Sequence, residues 1–216
     1  MNQVYAIIQR EFRHEMRSRK SWLAILLYIS SIVYICYLGF RHDLDATTWN
    51  TLFWILMVFI AMFASSGSFS GREGEMLYLY TLVSPQKFIL ARLIYNGLFM
   101  LLVSLMAFVG YVFFVGCPVS NLLIFLVAML LSVWGISSLL TVSFSISSKG
   151  GGGFALMAII SFPLLVPLLL SAQHLSALSM EGASTNGFTG SLIALIALDV
   201  IIGAMSYLLF PYLWRD

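Results

Sequence analysis

Residues 120–172 read SNLLIFLVAMLLSVWGISSLLTVSFSISSKGGGGFALMAIISFPLLVPLLLSA, with Lys149 as the single charged residue in the stretch. A hydrocarbon core about 30 Å thick needs about 20 apolar residues at a rise of about 1.5 Å each. The runs on either side of SSKGGGG both meet that length. Neither run carries a charge, so the stretch reads as two transmembrane helices joined by a basic, glycine-rich turn.

Six such runs occur along the 216 residues, at 21–40, 49–70, 89–116, 120–147, 153–172 and 189–210. The third and fourth exceed one straight crossing, which tilt or projecting ends accommodate. The run 21–40 is too long for a signal-peptide core and ends in RHDLD without a small-residue cleavage site, so it is retained as the first span. Composition agrees: 61% of residues are hydrophobic and 9% charged, against about a quarter charged in a soluble domain. With the N-terminus cytoplasmic, Arg10, Arg13, Arg17, Arg19, Lys20, Arg72, Lys87, Arg92, Lys149 and Arg215 fall inside and only Arg41 outside. That bias obeys the positive-inside rule. The predicted architecture is an all-α polytopic membrane protein, a single permease domain over 1–216 with six spans and both termini cytoplasmic.

Residues 1–20 are more than a tail. On a helical wheel Val4, Tyr5, Ile7, Ile8, Phe12 and Met16 share one arc, and Arg10, Arg13, Arg17 and Lys20 share the opposite one. This predicts an interfacial amphipathic helix, its apolar face at the acyl boundary and its bases at anionic headgroups; a plain topogenic charge cluster is the alternative.

Between the second and third spans, residues 71–92 read GREGEMLYLYTLVSPQKFILAR. The connecting segment 71–88 is longer than a bare turn requires. Glu75 to Val83 can form two helical turns with Met76, Tyr80 and Val83 near one face, and Ser84-Pro85 ends them because the residue before proline is pushed out of the helical region. Glu73 and Glu75, flanking Gly74, complement the positive end of the helix dipole. A short amphipathic helix under a membrane bundle suits a groove on a cytoplasmic partner; a loop lying on the headgroups is the alternative.

These residues carry a resemblance. Acid, glycine and acid, then an apolar stretch, Ser-Pro and ILAR leading into a helix resemble the coupling region of type-2 ABC exporter permeases, the ABC-2 or type V exporter-like fold. Residues 139–172, with Lys149 and its glycines ahead of a span carrying Pro163 and Pro167, resemble the CcmB family, the haem exporter permease of cytochrome c maturation. The layout agrees over nearly the whole chain, the specific motifs in these two blocks only. A single Ser84-Pro85 stands where a more proline-rich turn is expected, and the coupling segment is rich in tyrosine. The resemblance implies a bacterial inner-membrane subunit with an ATPase-coupling interface over Glu73, Gly74, Glu75, Met76, Tyr80, Val83, Ser84 and Pro85. It also implies an ATP-binding partner, a haem-handling membrane protein, a small membrane subunit and a periplasmic haem chaperone. On this reading the chain binds no cofactor itself: ATP sits in the partner and haem is handled by the assembly.

Other residues are read on their own chemistry. The chain lacks a GxxxxGK[ST] loop, and Lys149 ahead of four glycines has the wrong order to cradle a triphosphate. Pro163 and Pro167 remove backbone donors, making the fifth span either a candidate hinge or a helix kinked for packing. Small residues from Ser65 to Gly71, and Ser132, Gly135, Ser138, Thr141 and Ser145, mark packing faces, which also suit pairing with a second permease copy. Asp199 is the one acid well inside a span and shares a face with Gly203 and Ser206; it is a functional candidate or a structural group, neutral or hydrogen-bonded, facing a partner subunit. Arg92 and Asn96 read as a snorkelling anchor and its neighbour. His42 and His174 reach the outer side with the chemistry of axial haem ligands, although the resemblance places haem handling in partners. Cys36 and Cys117 lack metal-ligand spacing and read as buried free thiols or as a disulfide. The segment 173–188 is predicted as a periplasmic loop in which Leu175, Leu178 and Ser179 form a short interfacial helix. A generic ABC-2 exporter of a lipid or small molecule is the second functional reading. A membrane-embedded enzyme is the third and weakest, since HExxH, GxSxG and paired intramembrane carboxylates do not occur.

Overall fold

The computed structural model describes residues 2–40, 44–69, 84–149, 153–180 and 185–215. Among them are seven helices and no strand: α1 Asn2–Arg17, α2 Arg19–Gly39, α3 Ala46–Phe69, α4 Pro85–Val115, α5 Leu122–Lys149, α6 Gly153–Met180 and α7 Thr185–Arg215. Six of these, α2 to α7, are long and apolar enough to cross a membrane.

Local chemistry sets the ends. Ser18 caps α2, its Oγ accepting from the Ser21 N–H at 3.4 Å. Asp45 caps α3: its Oδ2 accepts from the Thr48 N–H at 3.3 Å and its carbonyl from the Trp49 N–H at 2.9 Å. The start of α4 corrects the expected boundary, because Ser84 is extended (φ −64°, ψ 142°) and Pro85 is the first helical residue. Proline's missing N–H costs nothing at that position and its fixed φ suits the helix, so Ser84-Pro85 opens the third span rather than preceding it by a turn. At the other end Gly116 adopts φ 94°, a conformation that a side chain would strain.

The largest departure is at α6. Residues 173–180, expected as the start of an outer loop, continue the helix to Met180. The polar residues that lower the hydropathy there, Gln173, Ser176 and Ser179, recur at helical spacing and find partners in α3, in the turn before α5 and in their own helix. Leu175 and Ser179 are buried within this helix. The next described residue, Thr185, opens α7, and residues 181–184 lie outside the described residues.

The bundle is organised around α5, which packs most extensively on α6, then on α7 and α4. Large side chains fill the centre: Trp49, Phe53, Tyr111, Phe125 and Met129 are fully or almost fully buried. By contrast α2 and α7 bury little of their surface, and Leu27, Phe113, Leu123 and Val200 are exposed. An outward apolar coat of this kind is what lipid solvates.

Two ends of the bundle are distinguishable. At one, α1 lies against α4. At the other, called here the far end, the starts of α3 and α5 meet the ends of α4 and α6. The apolar arc of α1 is divided: Ile7 is buried and Val4 and Ile8 half-buried, while Tyr5 and Phe12 remain exposed beside Arg10 and Arg13. One flank of that arc therefore seats against protein, and only the other is free for the acyl boundary.

Candidate functional site

Of the predicted coupling interface, Glu73, Gly74, Glu75, Met76, Tyr80 and Val83 lie outside the described residues. Ser84 and Pro85 lie within them, at the start of α4. Ser84 is exposed. In the next turns Phe88, Ile89 and Ala91 are buried, and the Arg92 guanidinium stands 5.8 Å from the centroid of the Phe88 ring. At 31 residues α4 is about 46 Å long, longer than the hydrocarbon core, and it touches α1, α2, α3, α5 and α7. A displacement applied just before Ser84 thus enters a stiff rod in contact with most of the bundle.

Within the bundle the small-residue face of α5 is buried at Ser132, Gly135, Ser138 and Thr141 and half-buried at Ser145. Ser132 donates to the Ala128 carbonyl, Thr141 to Ser137 and Ser145 to Thr141, all at 2.7–2.8 Å. With their protons turned onto their own helix, these hydroxyls make the face small rather than hydrophilic, which is the packing role expected of it. Sequence reasoning missed the part played by Asn96: it is buried and donates to Thr141 Oγ1 at 2.9 Å, joining α4 to α5. One residue on, Gly97 admits Trp134, whose ring carbons lie 2.7–3.1 Å from where a Cβ would sit.

Asp199 is placed against α5. Its Oδ1 is buried without a hydrogen-bond partner, and a Cβ at Gly135 would overlap that oxygen and lie 2.7 Å from Leu168 Cδ1. Of its expected neighbours along α7, Ser206 is buried, whereas Gly203 has open space where its Cβ would be. Pro163 and Pro167 stand inside α6, four residues apart and both exposed. The carbonyls of Ile159 and Pro163 therefore lack the amide donors they would normally receive.

The far end holds a polar network that hydropathy conceals. Ser176 Oγ accepts from Trp54 Nε1 at 2.8 Å and donates to Asn50 Oδ1 at 2.7 Å. Asn50 Nδ2 donates to the Gln173 carbonyl at 2.9 Å, and Gln173 Nε2 to Thr51 Oγ1 at 2.7 Å. Trp49 Nε1 donates to the Gly116 carbonyl at 3.0 Å while the Trp49 carbonyl accepts from the Tyr111 hydroxyl at 3.2 Å. Ser120 Oγ and the Asn121 N–H donate to the Met180 and Ser179 carbonyls at 2.8 and 3.0 Å. Beside this network a groove of about 460 Å³ runs between α3 and α6, with Asn50, Gln173 and His174 among its lining residues.

His174 is exposed on α6, its Nδ1 2.9 Å from Ser191 Oγ of α7. His42 lies outside the described residues. Among the described residues no cluster of three or more His, Cys, Asp or Glu side chains could hold a metal ion. Both cysteines are free thiols, but they are not both buried as expected: Cys36 is half-buried on α2 and Cys117, in the turn after α4, is exposed.

The chain matches the family model described as CcmB protein over residues 2–211. Comparisons with curated proteins and with solved structures returned no match.

Proposed function

The chain belongs to the CcmB family, and on that premise we propose that it couples ATP hydrolysis in a separate subunit to haem delivery or to release of a haem-loaded chaperone. The family is the multi-pass membrane subunit of the haem exporter in cytochrome c maturation, an ABC transporter permease and not itself an enzyme. The single observation that carries the proposal is the match across nearly the whole chain; six apolar helices of spanning length agree with it.

On this reading the bundle is an ABC-2 permease in the bacterial inner membrane, with both termini and α1 on the cytoplasmic side. The segment ahead of Ser84 receives the ATP-binding partner, and the far end of the bundle is periplasmic. The stiffness and contacts of α4 support that direction of coupling: work done at the segment reaches α5 and α7 without a flexible link after Pro85. A haem-handling membrane protein, a small membrane subunit and a periplasmic haem chaperone complete the assembly, and a second permease copy pairs with this one. Pro163 and Pro167 supply the hinge.

The test is substitution of Glu73→Ala, Glu75→Ala and Pro85→Ala, each scored for membrane insertion, co-purification of the ATP-binding subunit and cytochrome c maturation. Normal insertion with loss of the subunit, or of its productive hydrolysis, is the expected outcome. Full coupling in all three variants refutes the assignment of this segment.

A further inference from the structure

Pro163 and Pro167 leave α6 with a deficit of hydrogen bonds as well as a candidate hinge. Each removes the amide donor that the carbonyl four residues earlier would receive, so the Ile159 and Pro163 carbonyls have acceptor capacity to spare. Inside a membrane such groups are satisfied by neighbouring helices, hydroxyl side chains or ordered water, since hydrocarbon offers them no donor. The hydroxyls of α6 near them are directed elsewhere: Ser161 donates to the Ala158 carbonyl at 3.1 Å and Ser171 to the Pro167 carbonyl at 3.0 Å. The flank is also uncovered. Ile159 is 69% and Phe162 63% exposed, and both prolines are exposed.

A flank of the opposite chemistry lies on α2. Leu23, Leu27, Ser31 and Tyr34 recur there at helical spacing, and all are exposed. Ser30 returns its proton to its own helix, donating to the Leu26 carbonyl at 2.8 Å. Ser31 makes no such bond among the described residues and has an O–H to give.

These flanks are level with one another. Helix α3 packs on both α2 and α6, which have no substantial contact between themselves, and so sets their relative depth. On one side the Phe63 ring stacks on Tyr28 of α2 with centroids 4.2 Å apart; on the other Asn50 Oδ1 accepts from Ser176 of α6 at 2.7 Å. The interval from Asn50 to Phe63 along α3 equals that from Ser176 back to Pro163 along α6. At a common rise per residue, Tyr28 therefore stands at the depth of Pro163, and Ser31 stands within one turn of it.

We propose that a second copy of this chain covers this face about a two-fold axis along the membrane normal, so that α2 of each protomer lies on α6 of its partner and Ser31 donates to a carbonyl freed by the prolines. Such an axis brings groups of equal depth together and makes every contact twice, which is what level donor and acceptor flanks satisfy. Between them α3, exposed at Ile55 and Phe59, lies at the axis. The inference rests on the reading that a second permease copy pairs with this one and adds which helices meet.

The test uses two differently tagged full-length copies expressed together in their own membranes, both with Cys36→Ser and Cys117→Ser. One carries Leu27→Cys and the other Phe162→Cys, exposed positions on α2 and α6. Oxidation is expected to yield a disulfide-linked species bearing both tags, and to yield none when Val200→Cys, on the exposed side of α7, replaces Phe162→Cys. Ser31→Ala loses its bond in both halves of the pair and should weaken association about 10-fold in single-molecule photobleaching. Pairing by photobleaching without the linked species overturns the assignment of faces and leaves the pairing reading standing. A chain that stays single beside its ATP-binding subunit overturns both. Benzoylphenylalanine substituted at Phe162 is expected to capture the other tagged copy; capture of a different subunit or of lipid alone overturns the inference.

Discussion

Replacing Ser176 with alanine should destabilise the bundle far more than the removal of one oxygen suggests. Ser176 is fully buried, and Trp54 and Asn50, its partners on α3, are 3% and 2% exposed. A hydroxyl has one proton. Although the Ala172 and Gln173 carbonyls are also within 2.9–3.0 Å, Asn50 Oδ1 is the shorter contact at 2.7 Å and directs the proton across the helix interface. Ser176→Ala therefore orphans two groups, the Trp54 indole N–H and Asn50 Oδ1. In a soluble core each orphan costs about 1–3 kcal/mol. Hydrogen bonds between membrane helices average about 0.6 and reach about 1.7 kcal/mol, because the unfolded chain in lipid finds partners too. Two bonds on the upper part of that range give about 2 kcal/mol, or about 30-fold in the unfolding equilibrium. The assay is reversible unfolding in bicelles followed by near-ultraviolet circular dichroism, run as a double-mutant cycle with Asn50→Ala. A coupling of about 1 kcal/mol is expected between the two positions. A Ser176→Ala variant within about 0.5 kcal/mol of wild type, with no coupling to Asn50, would refute the network.

Two further outcomes follow from the same packing. Gly97→Ala drives a methyl into the Trp134 ring, at 2.7 Å from its nearest carbon, and should cost about 1–3 kcal/mol by the same unfolding assay; adding Trp134→Leu should recover much of that loss. Asp45, exposed at the start of α3, has its carboxyl held below the ordinary value of 3.8 by hydrogen bonding from the Thr48 side chain first, with backbone N–H groups adding to it. A lowered pKa means that the cap's contribution is complete above the ordinary value and fades as pH falls through the depressed one. The melting-temperature difference between wild type and Asp45→Ala should therefore be present at neutral pH and close in strong acid.

The six spans were legible because a continuous apolar run answers to one constraint, the thickness of the hydrocarbon. The buried serines of α5 were legible for a related reason, since small residues at helical spacing serve close approach wherever the partner lies. What stayed hidden depends on residues far apart in the chain. Gln173, Ser176 and Ser179 resemble loop residues by hydropathy, and only the partners supplied by α3, 122–126 positions away for Gln173 and Ser176, make them helical and buried. Nothing local pairs Gly135 with Asp199, or Gly97 with Trp134; each glycine matters through a side chain on another helix. Asn96 was concealed by its neighbour Arg92, which draws attention to the membrane surface while Asn96 turns inward to Thr141. Ser84-Pro85 reads as the end of one element because the residue before proline is kept out of a helix, yet proline's fixed φ and missing N–H suit the first position of the next.

Family membership places the chain in a transporter, and the assembly around it is the claim most open to direct measurement. The tagged full-length protein should be isolated from its own membranes in mild detergent and its companions identified by mass spectrometry. The account predicts an ATP-binding subunit together with a haem-handling membrane protein, at reproducible ratios to the permease. Recovery with the ATP-binding subunit alone would favour a generic exporter, and recovery with neither would contradict the account.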